Sequence, residues 1–114
     1  MRLLWITILV FTCVAIHGES TPKSFNWGLA HQNPGKQFVV DEKIWEKVAT
    51  NLLRGENEST VLKKFGKPIE KIQKGRVRGW KYTAVFKQKN SNHELSSVWV
   101  DFHDHRVCWV RLNK

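Results

Sequence analysis

Gly55-Glu56-Asn57-Glu58-Ser59-Thr60-Val61-Leu62-Lys63-Lys64-Phe65-Gly66-Lys67-Pro68 reads as a short helix with both ends written into the chain. Asn57 suits the N-cap, because its side-chain oxygen can accept a free amide of the first turn. Glu58 then lies at the positive end of the helix dipole. Val61, Leu62 and Phe65 supply one apolar face. Gly66 can take the left-handed conformation that closes a last turn, and Pro68 forbids resumption. A helix from Glu58 to Phe65 is too short to persist in water alone. It must pack on something, and the flanking sequence shows what.

Upstream, Asp41 is placed to cap a second helix that runs to Arg54. Ile44, Val48 and Leu52 recur every four residues with Trp45 and Ala49 beside them, which predicts an apolar stripe. Gly55 ends this helix, and the short link to Asn57 predicts a helical hairpin. Downstream, after a turn-like Gln73-Lys74-Gly75-Arg76, the residues Trp80, Tyr82, Ala84 and Phe86 alternate with Lys81, Thr83, Val85 and Lys87. That is the pattern of a half-buried strand. Lys89 to His93 reads as a loop. Val98, Val100 and Phe102 mark a second strand, Asp104-His105 a tight turn, and Val107 to Leu112 a third. The expected fold class is α+β: a two-layer ααβββ unit, the helical hairpin packed on a three-stranded antiparallel meander. Phe38-Val39-Val40 is a further short β-like run.

The 114 residues suggest one domain with a leader. Met1-Arg2 and the apolar run Leu3 to Ile16 fit a secretory signal peptide, since a membrane-spanning helix needs about 20 apolar residues. The expected organisation is 1–18 signal peptide, 19–35 extended N-terminal arm and 36–114 folded domain. The arm carries Pro22, Pro34 and no hydrophobic period. Its Phe25 and Trp27 are expected to dock on the domain's own core, with docking on a partner as the alternative. Cys13 falls within the leader and lacks the small residues that precede a lipidated cysteine. Cleavage would leave Cys108 as the sole cysteine. It is expected to be a small buried apolar residue.

The formal charge of +9 is unevenly spread. Lys63, Lys64, Lys67, Lys71, Lys74, Arg76, Arg78 and Lys81 face a single Glu70 within one stretch. Such a concentration attracts anionic partners: phospholipid head groups, other polyanions or an acidic protein. Lys74, Arg76 and Arg78 flank the Gly75 turn and are expected to form a basic edge at one end of the sheet that binds anionic phospholipid. Trp99 is expected on the outer face of the sheet, near Lys81 or Arg111. Interleaved aromatics and cations suit adhesion to protein or lipid. No nucleic acid is expected for an exported chain.

Taken in order, Gly55 and Val61, Phe65-Gly66-Lys67-Pro68, Trp80-Lys81-Tyr82, then Phe102 and Val107 around a tight turn form a pattern that resembles the SmpA/BamE family. These are small periplasmic lipoproteins of Gram-negative bacteria. The resemblance covers roughly Gly35 to Leu112. It implies an ααβββ fold and no catalytic activity. It also implies a place beside outer-membrane β-barrel assembly components, with anionic phospholipid as a ligand. By the same resemblance the contact surface includes Gly35, Phe38, Ile69 and Lys87. The family's lipidated cysteine has no counterpart here, and Arg106 stands where the family has glycine. Two other readings stay open: an inhibitor-type protein-binding module on a related helix–sheet fold, and a polyanion-binding protein.

His103-Asp104-His105 invites a metal reading, but histidines at i and i+2 across a turn diverge, and no cysteine or glutamate completes the set. Asp101 and Asp104 lack a partner suited to acid–base work, and no nucleophile–base order stands out. No catalytic residue, metal site or cofactor is therefore assigned. Asn57-Glu58-Ser59 matches a glycosylation sequon, yet Asn57 is the expected cap.

Overall fold

A computed structural model of the chain describes residues 25–113. The expected leader, Cys13 and the start of the arm lie outside the described residues. The elements are β1 (Phe38–Val40), α1 (Glu42–Leu53), α2 (Glu58–Phe65), β2 (Glu70–Lys74), β3 (Val77–Gln88), β4 (Glu94–His103) and β5 (Arg106–Asn113), with a single 3-10 turn at Ala30–Gln32. Both helices are capped as the sequence suggests. The Asp41 carboxylate accepts from the Ile44 amide at 3.2 Å, and the Asn57 side chain accepts from the Thr60 amide at 2.9 Å. Gly66 takes φ +81° and ends α2.

The fold is α+β, but the expected three-stranded meander is corrected to a five-stranded mixed sheet. The meander β3–β4–β5 is present, joined through antiparallel registers such as Trp80 to Val100 and Val100 to Val110. Two strands add to it along the far edge of β3. β2 forms a hairpin with the first half of β3 around Gly75, while β1 pairs in parallel with its end, Phe38 facing Phe86. Leu29 bridges to Ala84 in the gap between them. β2 escaped the sequence pattern because all five of its residues are exposed, so no apolar alternation marks it. β1 coincides with the short β-like run Phe38-Val39-Val40, but its parallel addition to β3 is decided by distant partners, not by local period.

The core lies between the helices and one face of the sheet. Trp45, Ala49 and Leu53 of α1 and Val61 and Phe65 of α2 form one buried cluster with Trp80, Tyr82 and Phe86 of β3, Val98, Val100 and Phe102 of β4, and Val107, Val110 and Leu112 of β5. Phe65 and Tyr82 stack edge to face at 5.4 Å, and the Tyr82 hydroxyl donates to the Gly66 carbonyl at 3.0 Å. One ring thus holds both the body of α2 and its terminus. Burial pushes the Tyr82 hydroxyl well above its ordinary pKa, so it stays a donor.

The apolar stripe of α1 is turned from the expected one. Trp45, Ala49, Thr50 and Leu53 are buried, whereas Ile44 is 63% exposed and Val48 36%. Leu62 of α2 is likewise exposed. The rotation follows from what α1 bonds to. Its Thr50 hydroxyl and Glu46 carboxylate reach the outer backbone of β5, at Val110 and Leu112. The α1–α2 link completes the seam, because the Gly55 amide donates to the Val107 carbonyl and the Val107 amide to Glu56, each at 2.9 Å. The last strand therefore has its free edge closed by side chains and a loop.

Phe25 and Trp27 dock on the chain's own core. They join Trp45 and Phe65 in an aromatic cluster with ring centroids 4.6 to 6.3 Å apart. The Trp45 indole donates to the Asn26 carbonyl at 2.9 Å, and Leu29 is fully buried.

Candidate anionic-surface site

Two-residue turns close both hairpins at one end of the sheet. Gly75-Arg76 joins β2 to β3, and Asp104-His105 joins β4 to β5. Asp104 and His105 both have positive φ, 50° and 68°, the signature of a type I′ turn that matches the twist of its strands. The Asp104 amide donates to the Arg76 carbonyl at 3.2 Å, so the turns are tied to each other. Register then fixes the last row across the sheet as Lys74, Val77, His103 and Arg106. All four are exposed. Behind this row lies Ile72, opposite Gly79. Ile72 and Val77 are each 43% exposed, so apolar surface sits among the cations. A side chain at position 79 would crowd both Ile72 and Asp101, which is why this row carries a glycine.

The candidates read from the sequence do not form one site. Lys74 and Arg76 belong to the turn end, Arg76 with its Nε 4.0 Å from the Asp104 carboxylate in an exposed pair. Arg78 points to the helix layer, where it donates to the Glu58 carboxylate at 3.3 Å. His105 takes the same carboxylate, with Nδ1 2.8 Å from Oε1. Glu58 thus joins α2, β3 and the β4–β5 turn, and Arg78 is spent on that junction. Phe38 and Lys87 lie at the opposite end of β3, nine residues or about 30 Å from Arg78 along the strand. Phe38 packs half-buried against the core, and Lys87 stands between Val39 and Glu94. Gly35, with φ +73°, shapes the exposed loop before β1. Ile69 is 63% exposed, and its amide donates to the Lys81 carbonyl at 2.8 Å as the chain enters β2.

Trp99 is on the outer face, between Lys81 and Arg111, as its alternation implies. The Lys81 ammonium is 5.8 Å from the ring centroid and the Arg111 guanidinium 5.1 Å, so the indole is sandwiched between cations. Arg111 is held there by the Asp101 carboxylate at 2.8 Å. The sandwich leaves Trp99 buried, while Trp109, on the next strand, is 53% exposed. Cys108 corrects the expectation of a buried thiol: a register shift at Asp101–Phe102 turns it outward. Partial desolvation and the nearby Asp101 carboxylate hold its thiol above the usual range.

His103 and His105 take different carboxylates, Asp104 and Glu58. Among the described residues no group of three His, Cys, Asp or Glu side chains is placed to hold a metal ion. Sequence reasoning missed His103 and Arg106 as companions of Lys74. The signal was present in the two-residue turn lengths, which pair Lys74 with Val77 and His103 with Arg106 once the strands are aligned.

No family model, curated protein or solved structure matches this chain.

Proposed function

We propose that this chain is a non-enzymatic, exported interaction module of the cell envelope that binds anionic phospholipid head groups through the joined-turn end of its sheet. The observation that carries the reading is the last row, where Lys74, Val77, His103 and Arg106 are brought into line beside Arg76. Exposed apolar residues ringed by cations suit the boundary between head groups and acyl chains. Asp104 is the one acid in the two turns, and it offsets only part of the charge on Arg76. The resemblance to periplasmic assembly lipoproteins and the apolar leader support an envelope location. A partner among outer-membrane assembly components belongs to the same reading.

The test is co-sedimentation with vesicles of phosphatidylglycerol in phosphatidylcholine. Each well-placed cation contributes about 1 kcal/mol, so Lys74→Gln with Arg76→Gln should weaken binding about thirtyfold at low salt. Binding by the parent should fall steeply as salt shortens the Debye length. Equal binding by the parent and the double variant would overturn the reading. Envelope pull-downs address the protein partner. Capture of a single soluble enzyme would favour an inhibitor-type module, and capture of assembly components the proposed role.

A further inference from the structure

The flank of α1 that runs beside β5 forms a second surface, distinct from the turn end. Lys43, Lys47, Thr50, Asn51 and Arg54 line one side of a groove, and the Trp109 indole on β5 lines the other. The groove holds about 270 Å³. It exists because α1 is stitched to the backbone of β5 while the strand's register shift directs Trp109 out of the core. Ile44 and Val48 lie next to Lys43 and Lys47 along the helix and are left exposed by the same rotation. Three cations and an open indole thus share one groove, with two exposed aliphatic side chains next to the lysines in the helix. The acid in the groove, Glu46, has its carboxylate occupied by the Leu112 amide at 2.7 Å. It is also held toward its neutral form by desolvation. Lys43, Lys47 and Arg54 outnumber this acid, so the lining of the groove is net positive.

We infer that this groove binds an acidic peptide segment of a protein partner, with an apolar anchor of that segment against Trp109. Charge complementarity selects the acidic class, since cations line the helical wall along its length. A half-exposed tryptophan beside cations is the composition of an interface anchor and its rim. The groove is smaller than a drug-sized ligand needs, but one aromatic or leucine side chain fits it.

The probe is a short fluorescein-labelled peptide of glutamate and aspartate around a central phenylalanine, followed by anisotropy with the folded chain. Trp109→Ala and the pair Lys43→Glu with Lys47→Glu should each weaken binding by about tenfold or more. All three positions are exposed, and circular dichroism with thermal melting checks that each variant is folded. A charge-swapped basic peptide should bind the Lys43→Glu, Lys47→Glu variant better than the parent. Lys74→Gln with Arg76→Gln should bind the acidic peptide as the parent does, which separates this site from the lipid-binding reading. Unchanged affinity in folded α1 and Trp109 variants would overturn the assignment. So would an equal loss in the turn-end variant, because that pattern is general charge attraction. Loss of vesicle binding in the α1 variants with peptide binding intact would reassign the surface to lipid and overturn it too.

Discussion

The Thr50 hydroxyl donates to the Val110 carbonyl at 3.2 Å and accepts from the Val110 amide at 3.0 Å. One side chain of a helix thereby satisfies both outward backbone groups of an edge-strand residue. Thr50 and Val110 are both buried, so water cannot replace the bonds. An orphaned buried donor or acceptor costs about 1–3 kcal/mol, more than the net gain from making the bond. Thr50→Val keeps the shape and removes the hydroxyl. It should lower stability by about 2 kcal/mol, and Thr50→Ser by less than half of that. The same variant reopens the β5 edge, so concentration-dependent association should appear in Thr50→Val during light scattering. Equal denaturation midpoints for the parent and Thr50→Val would show that the seam is not a determinant of stability.

Glu46 continues the seam, and its titration gives a pH prediction. Desolvation raises its pKa above 4.5, and the bond from the Leu112 amide lowers it by less. A raised folded-state value means that the native state binds this proton more tightly than the unfolded chain. The contribution of Glu46 is therefore greatest below about pH 4.5 and fades as pH rises through the raised value. Glu46→Gln retains an acceptor for Leu112 and cannot ionise. Its stability relative to the parent should rise between about pH 4 and about pH 7, measured by urea denaturation at each pH. A flat or falling difference would contradict the sign.

Gly28 is where the N-terminal segment passes over the sheet. Its φ is +68°, and a Cβ there would lie 2.1 Å from two carbons of the Phe86 ring. The Gly28 carbonyl also accepts from the Val85 amide at 2.8 Å, so the backbone cannot simply retreat. Gly28→Ala should cost about 2–4 kcal/mol, the sum of overpacking and left-handed strain. Loss of near-ultraviolet circular dichroism from the Trp27–Trp45 cluster should precede global unfolding, and an unchanged spectrum and midpoint would argue against this packing.

Phe65 tests the element on which the fold depends. It is buried and touches Tyr82 and Trp27 at 5.4 and 5.0 Å between ring centroids. Phe65→Ala should cost about 3–5 kcal/mol, and a loss below about 1 kcal/mol would mean that α2 is not packed as described.

The bounds of α2 were legible because they are local: Asn57 and Gly66 write them in side-chain and backbone chemistry. The buried face of α1 was not. Ile44, Val48 and Leu52 make as good a four-residue ladder as Trp45, Ala49 and Leu53, and tertiary contacts choose between them: the bonds to β5 and the docking of Trp45 on the N-terminal segment. The same holds for the basic run. Lys74 and Arg78 are four residues apart, yet the β2–β3 hairpin sends the first to the open row and the second to the helix layer. Charge count is visible in a sequence, whereas its division between surface and junction depends on which side of the sheet is covered.

That division yields the last prediction. Arg78 donates to the Glu58 carboxylate, which also takes His105, so α2, β3 and the β4–β5 turn meet at one acid. The arginine is half-exposed, and the pair contributes about 1 kcal/mol at most once solvent screening is included. Arg78→Gln should lower stability by up to that amount while leaving vesicle binding close to that of the parent. Lys74→Gln with Arg76→Gln should do the reverse: unchanged melting, weakened binding. Measuring both properties on both variants separates structural from adhesive cations, although the two sets adjoin in sequence. If Arg78→Gln lost vesicle binding as strongly as the turn-end pair, with its melting unchanged, the head groups would be reading total charge and not the exposed row.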